Sequence, residues 1–310
     1  MANDVRNTLI NRDALVGVIF ALLAAVGFSA KAILVKLAYL HNSVDAITLL
    51  ALRMAFSVPF FIGVALWAKR QHAEPLGGHD KILVVILGLI GYYLSSFLDF
   101  LGLQFISAGL ERLILFLYPT ITVILSALVY KRAIGRKVMA AMALSYAGIA
   151  LVFFHDVGTM QDSIALGALL VFSSTLSYSV YLVGAGHAIA RIGATRFTAY
   201  AMIVASTASL LQFFVTHPIS ALDLPVQIYE LAFSMAIFST LLPVFLLSYA
   251  IRRIGSSSTS LIGSIGPVST IYMAYVFLGE GISLLQLAGS LLVMIGVLVI
   301  SMNSKREMKS

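Results

Sequence analysis

The chain has 310 residues, 60% hydrophobic and only 11% charged, with a mean hydropathy of +1.01, no cysteine and a formal charge of +7. A soluble domain is about a quarter charged, so an excess of apolar surface on this scale has to face lipid rather than hide in a water-soluble core. The absence of cysteine excludes disulfides, thiol nucleophiles and thiolate metal sites; the positive charge leaves nucleic acid or anionic lipid open as partners until the basic residues are placed.

The polar start, Met1 to Asn11, carries Asp4 and Arg6 and shows no cleavable signal pattern. Crossing about 30 Å of hydrocarbon takes roughly 20 helical residues. On that measure the spans fall at about 14–37, 46–67, 82–104, 107–130, 137–154, 164–186, 197–216, 230–251, 256–278 and 284–302. Two connections are long enough to be true loops, 68–81 and 217–229, and neither holds a soluble domain. With the N-terminus cytoplasmic, the inner segments collect the bases, among them Lys69, Arg70, Lys131, Arg132, Arg136, Lys137, Arg252, Arg253 and Lys305. The outer connections carry Asp45, Asp156, Asp162, Asp223, Glu230 and Glu280. This one-sided bias puts both termini inside the cell and makes the basic charge a matter of topology, so nucleic-acid binding is not expected.

Residues 106–152 compare with 254–300 at an offset of 148: Pro119 falls on Pro267, Thr122 on Thr270, Gly148 on Gly296, and Ala141 on Gly289. Near the start of each half, Gly17 meets Gly167 and Phe28-Ser29 meets Tyr178-Ser179 at an offset of 150. Five spans per half is an odd number, so the halves insert with opposite orientation. The expected fold is therefore an all-α integral membrane protein of about ten transmembrane helices. They form two inverted five-helix repeats, 1–155 and 156–310, in one membrane domain around a central cavity.

The stretch from Arg253-Ile254-Gly255 through Gly266-Pro267-Val268, then Leu278-Gly279-Glu280 and Leu287-Ala288-Gly289 to Gly296-Val297, resembles the drug/metabolite transporter superfamily, EamA branch. In overall pattern the chain is similar to the YddG-type amino-acid exporters of that superfamily, and Arg53 resembles the family's arginine in span two. In the first half Lys131-Arg132 stands where the Gly-Glu pair would be. The resemblance implies a bacterial inner-membrane exporter of amino acids, with spans one, three, four, six, eight and nine around the cavity and five and ten outside it.

Ionisable groups inside a span face a cavity or one another. Lys31, Arg53, Asp99, Glu111 and Arg112 all fall in the outer halves of their spans. Two readings stand for them: a pocket for charged substrate groups, or a network in which Asp99 and Glu111 neutralise Arg53 and Arg112. Tyr92, Ser95, Ser96 and Asp99 share one helical face, as do Glu111, Tyr118 and Thr122, and Ser174, Tyr178 and Tyr181. The substrate-binding set expected from these patterns is Phe28, Lys31, Tyr92, Ser96, Asp99, Glu111, Tyr118, Tyr178 and Tyr181. Lys36 is expected to snorkel, and Tyr39, Tyr130 and Trp67 to anchor span ends at the interface. Pro119, Pro243 and Pro267 are candidate hinges.

No histidine pair has metal spacing, and no Walker, Rossmann or Gly-x-Ser-x-Gly loop is present. Catalysis and cofactors are not expected. The partners are a small-molecule substrate and the lipid bilayer, and energy would come from a gradient or from downhill flow. The alternatives are a broad drug or cation extruder of the same fold and, in another class, an intramembrane lipid-modifying enzyme.

Overall fold

The computed structural model describes residues 2–40, 44–71, 76–129, 131, 134–157 and 163–307, with side chains for most of them. Among these residues the chain is helical, with no strand. Eight helices are long and apolar enough to cross a membrane: α1 Ala14–Leu40, α2 Ala46–Arg70, α3 Gly78–Gly102, α4 Ala108–Val129, α5 Arg136–Phe154, α6 Ile164–Gly186, α7 Ala194–Thr216 and α8 Val226–Ile251. Two shorter apolar helices follow, α9 Gly266–Leu278 and α10 Leu284–Val299. Their outward faces carry large exposed apolar side chains, such as Leu15, Ile19, Leu22 and Val26 along one stripe of α1. In water such surface would aggregate; against acyl chains it is solvated, and the chain is an integral membrane protein.

The helix pairs carry the symmetry of the repeat. A methyl group added at Gly148 of α5 would lie 2.6 Å from the Gly289 carbonyl of α10, and one added at Gly296 would lie 2.5 Å from the Ala141 carbonyl. Residue 141 therefore meets 296 while 148 meets 289, so the two helices run antiparallel. Each contact exchanges the partners that the 148-residue offset makes equivalent. A two-fold axis perpendicular to both helices does this, which is the inversion expected from the odd span count. The same relation links α1 with α8, where Gly27 faces Pro243 and Gly17 faces Ile254, to α3 with α6, where Gly102 faces Val171.

Irregular turns repeat as well. A π-helical turn at Leu89–Leu94 interrupts α3, and another at Ile237–Leu241 interrupts α8, again about 148 residues apart. In α4 the helix breaks at Phe116-Leu117, between Ala108–Leu115 and Tyr118–Val129. The equivalent break, Ser264-Ile265, precedes the Gly266–Met273 segment of α9. Pro119 and Pro267 each occupy the second position of a new helical segment, where the missing N–H has no intrahelical acceptor to serve. Pro59 sits inside α2, and Pro243 directly follows the π-turn within the unbroken α8.

Several boundaries differ from those expected. The gap expected between spans eight and nine, around residues 252–255, is helical, because the segment beginning at Leu242 runs to Gly263 and breaks only ahead of Pro267. α2 starts at Ala46 because the Asp45 carboxylate accepts hydrogen bonds from the N–H groups of Ile47 (2.8 Å) and Thr48 (3.1 Å) and from the Thr48 hydroxyl (2.6 Å). Burial alone would raise the Asp45 carboxyl, but these bonds, with His217 3.5 Å away, hold it below the usual carboxylate range. Tyr39 is not a free interfacial anchor: its hydroxyl donates to the Phe100 carbonyl at 2.8 Å and ties α1 to α3. Trp67 is exposed near the end of α2, and Tyr130 lies outside the described residues.

Candidate functional site

A cavity of about 410 Å³ lies in the middle of the bundle. Its walls come from α1, α3, α4, α6 and α8, from the segment leading into α9, and from Val297 of α10. On α1 the lining runs from Ala21 to Lys31 and on α8 it takes in Leu247 and Ile251. The space therefore reaches from mid-bundle toward the end at which α1 begins and α8 ends. The opposite end is shut by Lys31 and Asp99, and beyond them by the Tyr39–Phe100 bond.

Lys31 is the centre of the charged layer. Its ammonium contacts Asp99 Oδ2 at 2.5 Å and Glu111 Oε1 at 3.1 Å, joining α1, α3 and α4. Asp99 and Glu111 are 2% and 0% exposed. The ion pairs thus fall on Lys31 and not on the two arginines that the sequence offered as partners. Arg53 instead donates from Nε to Thr240 Oγ1 at 3.1 Å and lies over the Phe100 ring, 5.5 Å from its centroid. Arg112 lines the cavity wall, and its guanidinium rests against Gly266, where an added methyl would lie 2.7 Å from Nη2. No carboxylate lies within ion-pair distance of Arg112 among the described residues. Lys36 is half-buried rather than free at the interface, in electrostatic reach of Glu280 and Glu111.

Of the residues singled out from the sequence, Phe28, Lys31, Ser96, Asp99, Tyr118 and Tyr178 line the cavity, and Glu111, Tyr92 and Tyr181 do not. Glu111 sits behind Lys31, on the other side of the break that re-aims α4 before Tyr118. Tyr92 belongs to the π-helical turn, whose wider spacing carries it off the face shared by Ser95, Ser96 and Asp99. There its hydroxyl accepts a 3.0 Å hydrogen bond from Tyr181, and the Tyr181 ring packs on Gly91. The rings nevertheless form one ladder out of the cavity: Tyr118 meets Tyr178 edge to face at 5.7 Å, and Tyr178 stacks on Tyr181 at 5.5 Å. Thr175, Thr259 and the small Ala21 and Ala25 complete the lining. Thr259 belongs to the Ser256-Ser257-Ser258-Thr259-Ser260 run that the sequence offers either as a lining of the inner mouth or as a cap of span nine, whereas no sequence pattern sets Thr175, Ala21 and Ala25 apart from packing residues.

The serines bond to backbone carbonyls beside the irregular turns. Ser174 and Ser177 donate to the carbonyls of Ser95 and Ile90 at 2.7 Å each, beside the π-turn of α3. Ser29 of α1 and Ser179 of α6, whose hydroxyls also reach the Ala25 and Thr175 carbonyls of their own helices at 2.8 Å, share their protons in bifurcated bonds with the Gly266 carbonyl at 3.0 Å and the Tyr118 carbonyl at 3.2 Å. These two bonds are the same bond in the two halves, each clamping the restart of a broken helix. Ser29→Ala and Ser179→Ala should each lower stability by about 1 kcal/mol. The effects should add in the double variant, since the two bonds share no partner; thermal unfolding in detergent would measure both.

Glu280 has a role that its position in a loop did not disclose. Gly279 takes the left-handed conformation, with φ of 67°, and turns the chain so that the Glu280 carboxylate accepts from Ala108 N–H at 3.2 Å. The Gly-Glu pair of the second half thereby caps α4 of the first, next to the Ser107 cap, at the shut end of the cavity. Its counterpart by the repeat, Arg132, lies outside the described residues.

Comparisons with known proteins bear on identity. The EamA-like transporter family matches the chain twice, over residues 15–154 and 165–302, once in each half. The chain is 29% identical over 284 residues to the uncharacterized transporter YcbK of Bacillus subtilis, covering 90% of both chains. It is 26% identical over 207 residues to an S-adenosylmethionine/S-adenosylhomocysteine transporter of Chlamydia trachomatis, covering 64% of this chain and 63% of that one. A solved structure titled only as the crystal structure of a protein superposes with a TM-score of 0.66 at 17% identity, covering 95% of this chain and 99% of that one.

Proposed function

Because the chain belongs to the EamA-like transporter family, we propose that its central cavity carries small zwitterionic metabolites with an α-amino-acid headgroup and an apolar or aromatic body, and that it exports them by alternating access. The observation that carries this reading is the juxtaposition, around one cavity of about 410 Å³, of Lys31 and Asp99 at the shut end, Arg112 on the wall and the Tyr118–Tyr178 rings beside them. A cavity of that volume suits a solute of amino-acid to nucleoside size. A solute ammonium would compete with Lys31 for Asp99, its carboxylate would meet Lys31 or Arg112, and its body would lie against the rings.

The two solutes named for the Chlamydia relative share an α-amino-carboxylate group attached to an aromatic nucleoside, which is the same division of chemistry. The pattern shared with YddG-type amino-acid exporters supports the same class. The bias of Lys and Arg puts both termini, and with them the open end of the cavity, on the cytoplasmic side, where an exporter loads. The paired prolines at the restarts of α4 and α9 are the places where the halves would flex between the two accesses.

Counterflow of labelled phenylalanine, threonine and S-adenosylmethionine in proteoliposomes tests this, with tetraphenylphosphonium as the competing cation class. Exchange of at least one of the amino-acid solutes is expected. Tyr178→Ala should raise the half-saturating concentration of phenylalanine about tenfold or more, as expected for a lost ring contact of roughly 1.4 kcal/mol. Exchange of the cation alone would replace this reading with a cation extruder that relies on the two carboxylates of the charged layer.

A further inference from the structure

Two carboxyl groups in this membrane interior compete for one ammonium. Lys31 reaches both, yet its shorter contact is to Asp99, on the cavity side. Glu111 is fully buried behind it, and neither of its oxygens receives a hydrogen bond in good geometry. Asp99 and Glu111 contact the same ammonium, so their two carboxyl groups stand close together at buried positions. Two acids crowded on one base at such depth favour the state in which one of them is protonated.

Among the described residues, the charged groups that face Glu111 are few. They are Lys31 and, farther off, Lys36 from α1; Asp99 from α3; its neighbour Arg112 on α4; and Glu280 from the link between α9 and α10. Arg53 of α2 acts on Asp99 rather than on Glu111. Within their bounds α6, α9 and α10 contain no charged residue, and Arg136 and Lys137 stand at the far end of α5. Arg112, the remaining near base, is turned to the cavity wall beside Gly266. Glu111 also lies in the first turn of α4, where the helix N-terminus favours an anion. Both of its states are thus provided for: neutral beside Asp99 when Lys31 is engaged there, and ionised when Lys31 turns to it.

We propose that Glu111 is the proton site of a proton-coupled antiporter, holding a proton while Lys31 rests on Asp99 and releasing it when the ammonium of an entering solute takes Asp99. Lys31 then swings to the ionised Glu111, and the released proton leaves through the cavity water. When the solute departs on the other side, Lys31 returns to Asp99 and Glu111 takes up a proton from that side. One proton moves inward for each solute exported, and no covalent bond changes. The inference rests on the transport reading above and adds the coupling ion to it.

Two measurements test it, and the first needs no solute. Infrared difference spectra between acid and alkaline pH of the purified protein in lipid should show the carbonyl stretch of a buried protonated carboxyl that is missing in Glu111→Gln. Its absence from the wild type overturns the proposal, whatever is transported. In proteoliposomes with the membrane potential clamped at zero, one pH unit should sustain about a tenfold solute gradient, since a unit is 1.36 kcal/mol. In Glu111→Gln this accumulation should vanish, and whatever exchange remains should not respond to pH. Wild-type counterflow with no response to the pH gradient would reject the coupling and leave the transport reading standing. The infrared band without counterflow of any solute tested would reject that reading instead and retain Glu111 as a proton site.

Discussion

Gly296→Val should unfold the protein at markedly lower temperature before any question of transport arises. At Gly296 an added Cβ would strike the Ser145 side chain and come within 2.5 Å of the Ala141 carbonyl, which is backbone and cannot rotate aside. The two helices would have to separate along the seam between α5 and α10. Forcing extra methyl groups into such a contact costs about 1–3 kcal/mol, and more where the backbone must move. Gly148→Val should do comparable harm, because its Cβ would lie 2.6 Å from the Gly289 carbonyl in the equivalent contact of the two-fold pair. Gly63→Val in α2 is the control, since nothing lies within 4 Å of its added Cβ. Thermal unfolding in detergent, read by loss of the monodisperse peak, should rank Gly63→Val with the wild type and both seam variants far below it. A Gly296→Val protein that melts with the wild type would mean that the seam is looser than drawn and that the antiparallel pairing of the halves does not rest on it.

The same seam shows how far sequence could reach. The small pairs Ala141/Gly148 and Gly289/Gly296, seven apart in spans five and ten, are a pattern of close helix packing that fits a second copy as well as the same chain; the facing of 141 with 296 and of 148 with 289 places this contact within the chain. The repeat was legible through Pro119 and Pro267 because prolines are discrete markers. The π-turns that repeat alongside them were not, because their sequences, Leu89-Ile90-Gly91-Tyr92-Tyr93-Leu94 and Ile237-Phe238-Ser239-Thr240-Leu241, have nothing in common that marks a widened turn. That omission carried straight into the site. An α-helical period puts Tyr92 on the face of Asp99, and the extra residue in the turn removes it. Charged residues were legible as a layer, since bilayer depth follows from position in a span. Which of them pair depends on helix rotation, and a period-based face assignment did not reveal that Lys31 would outcompete both arginines for the acids. The role of Glu280 depended on a left-handed Gly279 aiming a loop at the other half, a long-range contact with no local signature.

Lys31→Met should separate the two roles that meet in this layer. Removing the ammonium strands Asp99 and Glu111 with no base in contact. Breaking a buried ion pair from one side costs about 3–5 kcal/mol, because the remaining charge is left uncompensated. Lys31→Met is therefore expected to be strongly destabilised and to transport nothing. Adding Asp99→Asn removes the stranded charge, so the double variant should regain a large part of the lost stability, and Glu111→Gln in a triple variant should add little more, since Glu111 already holds its proton. Transport should not return at either step, because the group that meets a solute carboxylate and the group that meets its ammonium are both gone. Paired thermal unfolding and counterflow on the three proteins make the comparison. If the double variant recovered counterflow along with its stability, Lys31 and Asp99 would be a strut between α1 and α3, and substrate recognition would have to move down the cavity to Arg112, Tyr118 and Tyr178. If stability returned and counterflow did not, the pair holds the helices together through the same contact that a solute must open in order to be carried.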